Sequence, residues 1–155
     1  MKTPIGGALI ALLLSTFPAG AERLVATRVD DGTVLAEADV ADGGEWCVLW
    51  RHSVQGFEVQ DCYVNRSGRM VLNRSHLPDF AAGLDHIPGR GTQLSDGQGG
   101  YWIVDLEEPV PGDAYILRPG SMAVDHRLKV GPQEVSLSAV AAHERVRVAL
   151  IASED

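Results

Sequence analysis

The chain predicts an all-β fold: a small antiparallel sandwich or barrel of about 8–10 short strands with at most one or two short helical turns. Three observations carry this expectation. Turn clusters recur every 8 to 12 residues or so along the chain, from Asp30-Asp31-Gly32 to Gly131-Pro132. The segments between them are short and rich in β-branched and aromatic residues. Helical periodicity is nearly absent.

The chain begins with Lys2, an uncharged apolar stretch from Ile5 to Phe17, then Pro18 and the small triplet Ala19-Gly20-Ala21. That order matches a secretory signal, with residues 1–21 removed and a single β-rich domain over 22–155. A membrane anchor fits less well. Spanning the hydrocarbon core takes about 20 apolar residues, and this run is broken by Gly6-Gly7 and stops at Pro18. The expected location is periplasmic or secreted, with no membrane span after cleavage.

Cleavage leaves 134 of the 155 residues, and losing Lys2 takes the formal charge from −8 to −9. One compact domain fits that length. The acidity argues against nucleic acid as a partner, and no polybasic cluster favours an anionic membrane surface.

Strands are predicted at Trp46 to Arg51, Phe57 to Val64, Met70 to Leu72, Tyr101 to Val104, Ala114 to Leu117, His126 to Val130, Glu134 to Leu137 and Val146 to Ile151. Single helical turns fit Pro78 to Ala82 and Ser138 to His143. The glycine-rich stretch from about His76 to Gly100 reads as a long surface excursion.

The most informative segment is Trp46 to Tyr63. With the loop centred on Val54-Gln55, facing residue numbers add to 109, so Arg51 meets Glu58, Trp50 meets Val59, Trp46 meets Tyr63 and Cys47 meets Cys62. A one-residue bulge at Gly56 loses every one of these matches. In an oxidising compartment the cysteine pair is expected to form a disulfide; two buried free thiols are the alternative. The register also bears on His52 and Asp61, which would make an attractive imidazole–carboxylate dyad. Asp61 faces Val48, placing it four residues along the ladder from His52, on the order of 13 Å away. A regular hairpin keeps them apart.

Other chemistry is sparse. His52, His76, His86, His126 and His143 are scattered. His76, Asp79, Asp85 and His86 share the glycine-rich excursion and offer mixed nitrogen and oxygen ligands, although a polar surface loop is the simpler reading. No cofactor fingerprint, nucleophile elbow or phosphate loop is present. Asn65-Arg66-Ser67 and Asn73-Arg74-Ser75 match the glycosylation sequon.

The string His52-Ser53-Val54-Gln55, followed by Val59, Asp61 and Tyr63, resembles the HSVE hairpin of the bacterial domain of unknown function 1850 family. Ala82-Gly83-Leu84 is similar to its downstream small-residue motif, and His126-Arg127-Leu128 with Val130-Gly131 and Ser136-Leu137 to its C-terminal hairpin. The chain departs from the pattern in carrying Gln55 where glutamate is usual and Asp61 where glutamate is common. Gln55 does not titrate near neutral pH, which weakens any role needing a carboxylate there. The resemblance implies an accessory of TRAP-type solute transporters, with no established activity. The resulting expectation is a periplasmic accessory or small-ligand-binding domain whose contact surface includes His52, Ser53, Asp61, Ala82, Gly83 and His86. Two alternatives come from other classes: a hydrolase or metal-dependent enzyme using His52 with Asp61 or His86, and a structural envelope protein.

Overall fold

The computed structural model describes residues 21–77 and 88–153. The apolar leader, the turn expected at Pro78 to Ala82, and Ala82, Gly83 and His86 lie outside them. Twelve strands are described: β1 (Glu22–Arg28), β2 (Val34–Val40), β3 (Glu45–Arg51), β4 (Glu58–Arg66), β5 (Arg69–Leu77), β6 (Thr92–Ser95), β7 (Tyr101–Val104), β8 (Glu108–Pro109), β9 (Ala114–Leu117), β10 (Arg127–Val130), β11 (Gln133–Ser136) and β12 (Val146–Ala152). One short helix, α1 (Leu137–Ala141), joins the last two.

The strands form an antiparallel sandwich of unequal sheets. The smaller is ordered β2-β1-β12-β9, the larger β11-β10-β3-β4-β5-β7-β6, and β8 pairs with β5 beyond the end of β7. The all-β expectation holds, and each of the eight predicted strands overlaps an observed one. The sequence reading missed β1, β2, β6 and β8. It also took the stretch from His76 to Gly100 as an excursion, whereas β6 forms a ladder there with β7 from Thr92↔Val104 to Ser95↔Tyr101. All four residues of β6 are exposed, so an apolar pattern could not reveal it.

The 109 register is the one observed: Trp46 faces Tyr63, Cys47 faces Cys62, Val48 faces Asp61 and Trp50 faces Val59. Cys47 and Cys62 are joined by a disulfide. Arg51 does face Glu58, but the two charges find other partners. The Arg51 guanidinium donates to the Met122 carbonyl at 3.5 Å, and Glu58 pairs with Arg127 of β10. The next hairpin turns through Ser67 and Gly68, both at positive φ (50° and 81°), the conformation a two-residue hairpin loop requires. Asn65 holds that turn. Its amide nitrogen donates to the Val40 carbonyl at 2.9 Å and its oxygen accepts from the Gly68 N–H at 2.8 Å. Fully buried and doubly bonded, it is no acceptor for a glycan in the folded domain.

Period-two alternation sends Trp46, Val48, Leu24, Ala26, Met70, Leu128, Val146, Val148 and Leu150 into one core between the sheets, with Leu137 and Ala141 of α1 packed against it. A second cluster, Val59, Leu77, Tyr101, Ile103 and Leu106, gathers around Trp50, Phe57 and Leu72. Between Cys62 and Tyr63 the β4–β5 register shifts, leaving Asn73 as the extra residue of a bulge, with its carbonyl accepting from the Leu106 N–H at 3.0 Å.

Candidate functional site: a cavity between unequal sheets

The inner face of β3 and β4 carries Trp46, Val48 and Trp50 opposite Tyr63, Asp61 and Val59. At its Trp46 end the rings stack in a ladder: Trp46 on Tyr63 with centroids 5.9 Å apart, and Tyr63 on Tyr115 of β9 at 5.1 Å. Further along, a cavity of about 170 Å³ opens between the sheets, lined by Val48, Trp50, Asp61, Tyr63, Tyr115, Leu117 and His126. The larger sheet supplies the first four, the edge strand β9 of the smaller sheet supplies Tyr115 and Leu117, and the residue just before β10 supplies His126.

Among the described residues Asp61 is the one acid in this lining, and no lysine or arginine accompanies it. Ser75 of β5, directly across the ladder, donates its hydroxyl to Asp61 Oδ1 at 2.5 Å. Burial holds the carboxyl above its ordinary pKa of 3.8; the Ser75 hydroxyl and the charge of Arg90 oppose that shift, and Glu108 adds to it. Arg90 is itself in a two-pronged pair with Glu108, at 2.5 and 2.9 Å, so its charge is largely answered before it reaches Asp61. A carboxylate at this depth with so little compensation is costly for folding alone, and such costs concentrate at functional sites.

His126 closes one end. Its ring stacks on Trp50, centroids 5.9 Å apart and planes within 10°, and its Nδ1 accepts from the Gly120 N–H at 3.1 Å. An accepting Nδ1 places the proton of the neutral ring on Nε2. Burial holds its pKa below 6.5, with the Asp125 charge opposing, so the ring stays neutral at physiological pH. Tyr63 and Tyr115 are both pushed up, by burial first and then by neighbouring charge, and keep their protons. Among the described residues the buried Tyr115 hydroxyl has no hydrogen-bond partner; the Trp46 indole N–H is close enough to favour its phenolate but does not meet hydrogen-bond geometry.

Of the residues proposed from sequence, Asp61 lines this cavity. His52 and Ser53 lie past the end of β3 in the connecting loop. His52 Nδ1 accepts from the N–H groups of Val54 and Gln55, at 3.4 and 3.1 Å, and its ring lies on Phe57 at 5.2 Å. Ser53 is exposed. No hydrogen bond or ion pair joins His52 to Asp61 among the described residues, as the register predicts.

His76, considered as a metal ligand, sits on the outer face of β5, where its Nε2 meets Asp96 Oδ2 at 2.8 Å and its ring tilts against Trp102 at 4.7 Å. The Arg74 guanidinium lies over the same indole at 4.6 Å and is held by both oxygens of Glu45, at 2.5 and 3.0 Å. Glu45 also lies near Cys47 and Cys62, but those sulfurs are bonded to each other and offer no thiolate to a metal.

Sequence reasoning missed Trp50, Tyr63, Tyr115 and His126 as companions of Asp61. Two were within reach: the 109 register already sets Trp50 and Tyr63 on its face. Tyr115 and His126 arrive from strands distant in sequence, and nothing local in the sequence shows that β9 lies over β4 or that β10 lies beside β3.

No curated protein and no solved structure matches the chain. The model of the family described as Domain of unknown function (DUF1850) matches residues 47–137, from the disulfide-bonded Cys47 through both hairpins, the cavity-lining residues of β9 and His126 to the first residue of α1. The chain belongs to that family.

Proposed function

We propose that this domain is an exported accessory protein that binds a small solute in the cavity between its sheets. One observation carries the reading: a carboxylate set into an aromatic, mostly apolar cavity whose walls come from both sheets. Cavities with a few convergent polar groups and a perturbed titrating residue are where small molecules bind. The volume limits the guest. At 170 Å³ it is smaller than the roughly 300–1,000 Å³ of pockets that take drug-sized ligands, so the guest is a smaller molecule.

Export is supported by the disulfide, which persists in oxidising compartments, and by the signal-like leader, whose expected cut at Ala21 immediately precedes β1. The TRAP-type association implied by the family resemblance fits a solute-binding accessory.

Melting of the oxidised protein against a panel of small cationic, neutral and anionic solutes tests the binding. A solute at a hundred times its Kd adds about 2.7 kcal/mol to stability. Leu117→Trp, which fills the cavity, should abolish the response. Equal shifts in wild type and Leu117→Trp, or no shift with any solute, would sink the proposal. Co-purification with the solute receptor or permease of a TRAP-type transporter tests the partner, and failure to recover either from membranes that hold both would remove that part.

A further inference from the structure

We infer that the solute is a small organic cation, an amine or quaternary ammonium group held against Asp61 by the rings of Trp50, Tyr63 and Tyr115. The inference rests on the solute-binding reading and narrows it to one charge class. Three features of the cavity converge on it.

The first is the charge of the walls. Among the seven described lining residues Asp61 is the one acid, while His126 is held neutral by burial and both tyrosines keep their protons. An anionic guest would meet a carboxylate and no lysine or arginine in the lining. A neutral guest would leave that carboxylate with only the charge of Arg90, which Glu108 shares. A cation in the cavity adds a second positive charge beside Asp61, where Arg90 acts on it but is shared with Glu108.

The second is the walls' chemistry. Three of the seven lining residues carry indole or phenol rings, whose negative faces attract cations and repel anions, and aromatic cages of this kind hold alkylammonium groups. Val48 and Leu117 complete an apolar lining suited to methyl or methylene groups. The third is an unmet polar demand. The buried Tyr115 hydroxyl has no hydrogen-bond partner of good geometry among the described residues, and Asp61 takes its described hydrogen bond from Ser75 on one oxygen, Oδ1.

Calorimetric titration of the oxidised protein with three probes of similar size provides the test: choline, its neutral isostere in which carbon replaces the quaternary nitrogen, and the anion pivalate. Choline is expected to bind at least about tenfold more tightly than the isostere, with pivalate weakest. Asp61→Asn, which keeps the side chain's shape and an acceptor for Ser75, is expected to bring choline down to the isostere's level while leaving the isostere unchanged. Trp50→Leu should weaken choline more than the isostere. If the isostere matches choline, or pivalate binds best, the cation assignment falls and solute binding stands. If choline binds equally to wild type and Asp61→Asn, the assignment to this cavity falls. If none of the probes binds and the wider panel is also silent, both readings fall together.

Discussion

Trp46 and Trp50 occupy the same strand and the same face, four residues apart, yet they live differently. Trp46 is 1 % exposed, packed in the main core beside Leu24, Met70 and Val146 and stacked on Tyr63. Trp50 is half-buried beside the cavity, with an imidazole as its stacking partner. The difference comes from what covers them. The small sheet has four strands against eight, so its central pair β1 and β12 seals one part of the large sheet's inner face, while the edge strand β9 alone reaches the next. Unequal sheets leave inner-face residues under-covered, and that is where this sequence sets Asp61. The lesson is that burial along a sandwich strand follows the width of the opposite sheet as much as the side chain itself.

Substitutions should reproduce this gradient. Trp46→Ala is expected to cost about 4 kcal/mol, the range for deleting a fully buried aromatic, whereas Trp50→Ala should cost about half as much because its neighbourhood is already partly empty. Urea midpoints of the two variants measure the ratio, and equal losses would contradict the contrast. On the reverse face of the same two strands, Cys47→Ala with Cys62→Ala removes a crosslink closing 15 residues, for about 3 kcal/mol on the chain-entropy model. A loss below about 1 kcal/mol would mean that the ladder holds itself without the staple.

Asp61→Asn should act in the opposite direction, stabilising the solute-free protein at pH 7 by about 1 kcal/mol through removal of a poorly compensated buried charge. The pH dependence has a definite sign. The native carboxyl binds its proton more tightly than the unfolded chain does, so wild-type stability falls as pH rises from 3.8 through the raised native value. The advantage of Asn should therefore shrink on acidification and vanish below pH 3.8. His126 works the other way: with its native pKa below 6.5, stability is lost as pH falls from 6.5 through the lowered value. Melting curves of Asp61→Asn and His126→Gln across this range separate the two slopes. The smallest effect should come from Glu45→Gln on the outer face. Its pair with Arg74 is partly solvated, with about a third of each side chain exposed, so a few tenths of a kcal/mol is expected.

The hairpin was legible because a period of two ties every residue to a face, and four favourable cross-strand pairs select one register among few. That reading delivered the disulfide, the separation of His52 from Asp61 and the shared face of Asp61 with Trp46 and Trp50. The Arg51–Glu58 pairing was right as register and wrong as electrostatics. Cross-strand order shows which residues face one another, but it does not show that Arg127 of the neighbouring β10 offers Glu58 another partner. β6 was invisible for a related reason: an edge strand exposed on all its residues has no buried face to print a pattern. The cavity escaped because strands far apart in sequence assemble it, and strand order is a tertiary fact. Glu22 to Arg28 and Val34 to Val40 form a hairpin at one side of the smaller sheet, although their mixed polar and apolar residues offer a weaker alternation than Trp46 to Arg51 does.

The stacking of an indole on an imidazole at the rim of the cavity has an optical consequence. Imidazolium quenches tryptophan emission far more than neutral imidazole does, so Trp50 is a built-in lamp that dims when His126 takes a proton. Subtracting the spectrum of a Trp50→Phe variant isolates that signal from Trp46 and Trp102, and it lets the occupancy of the neighbouring space be followed by light, without a label.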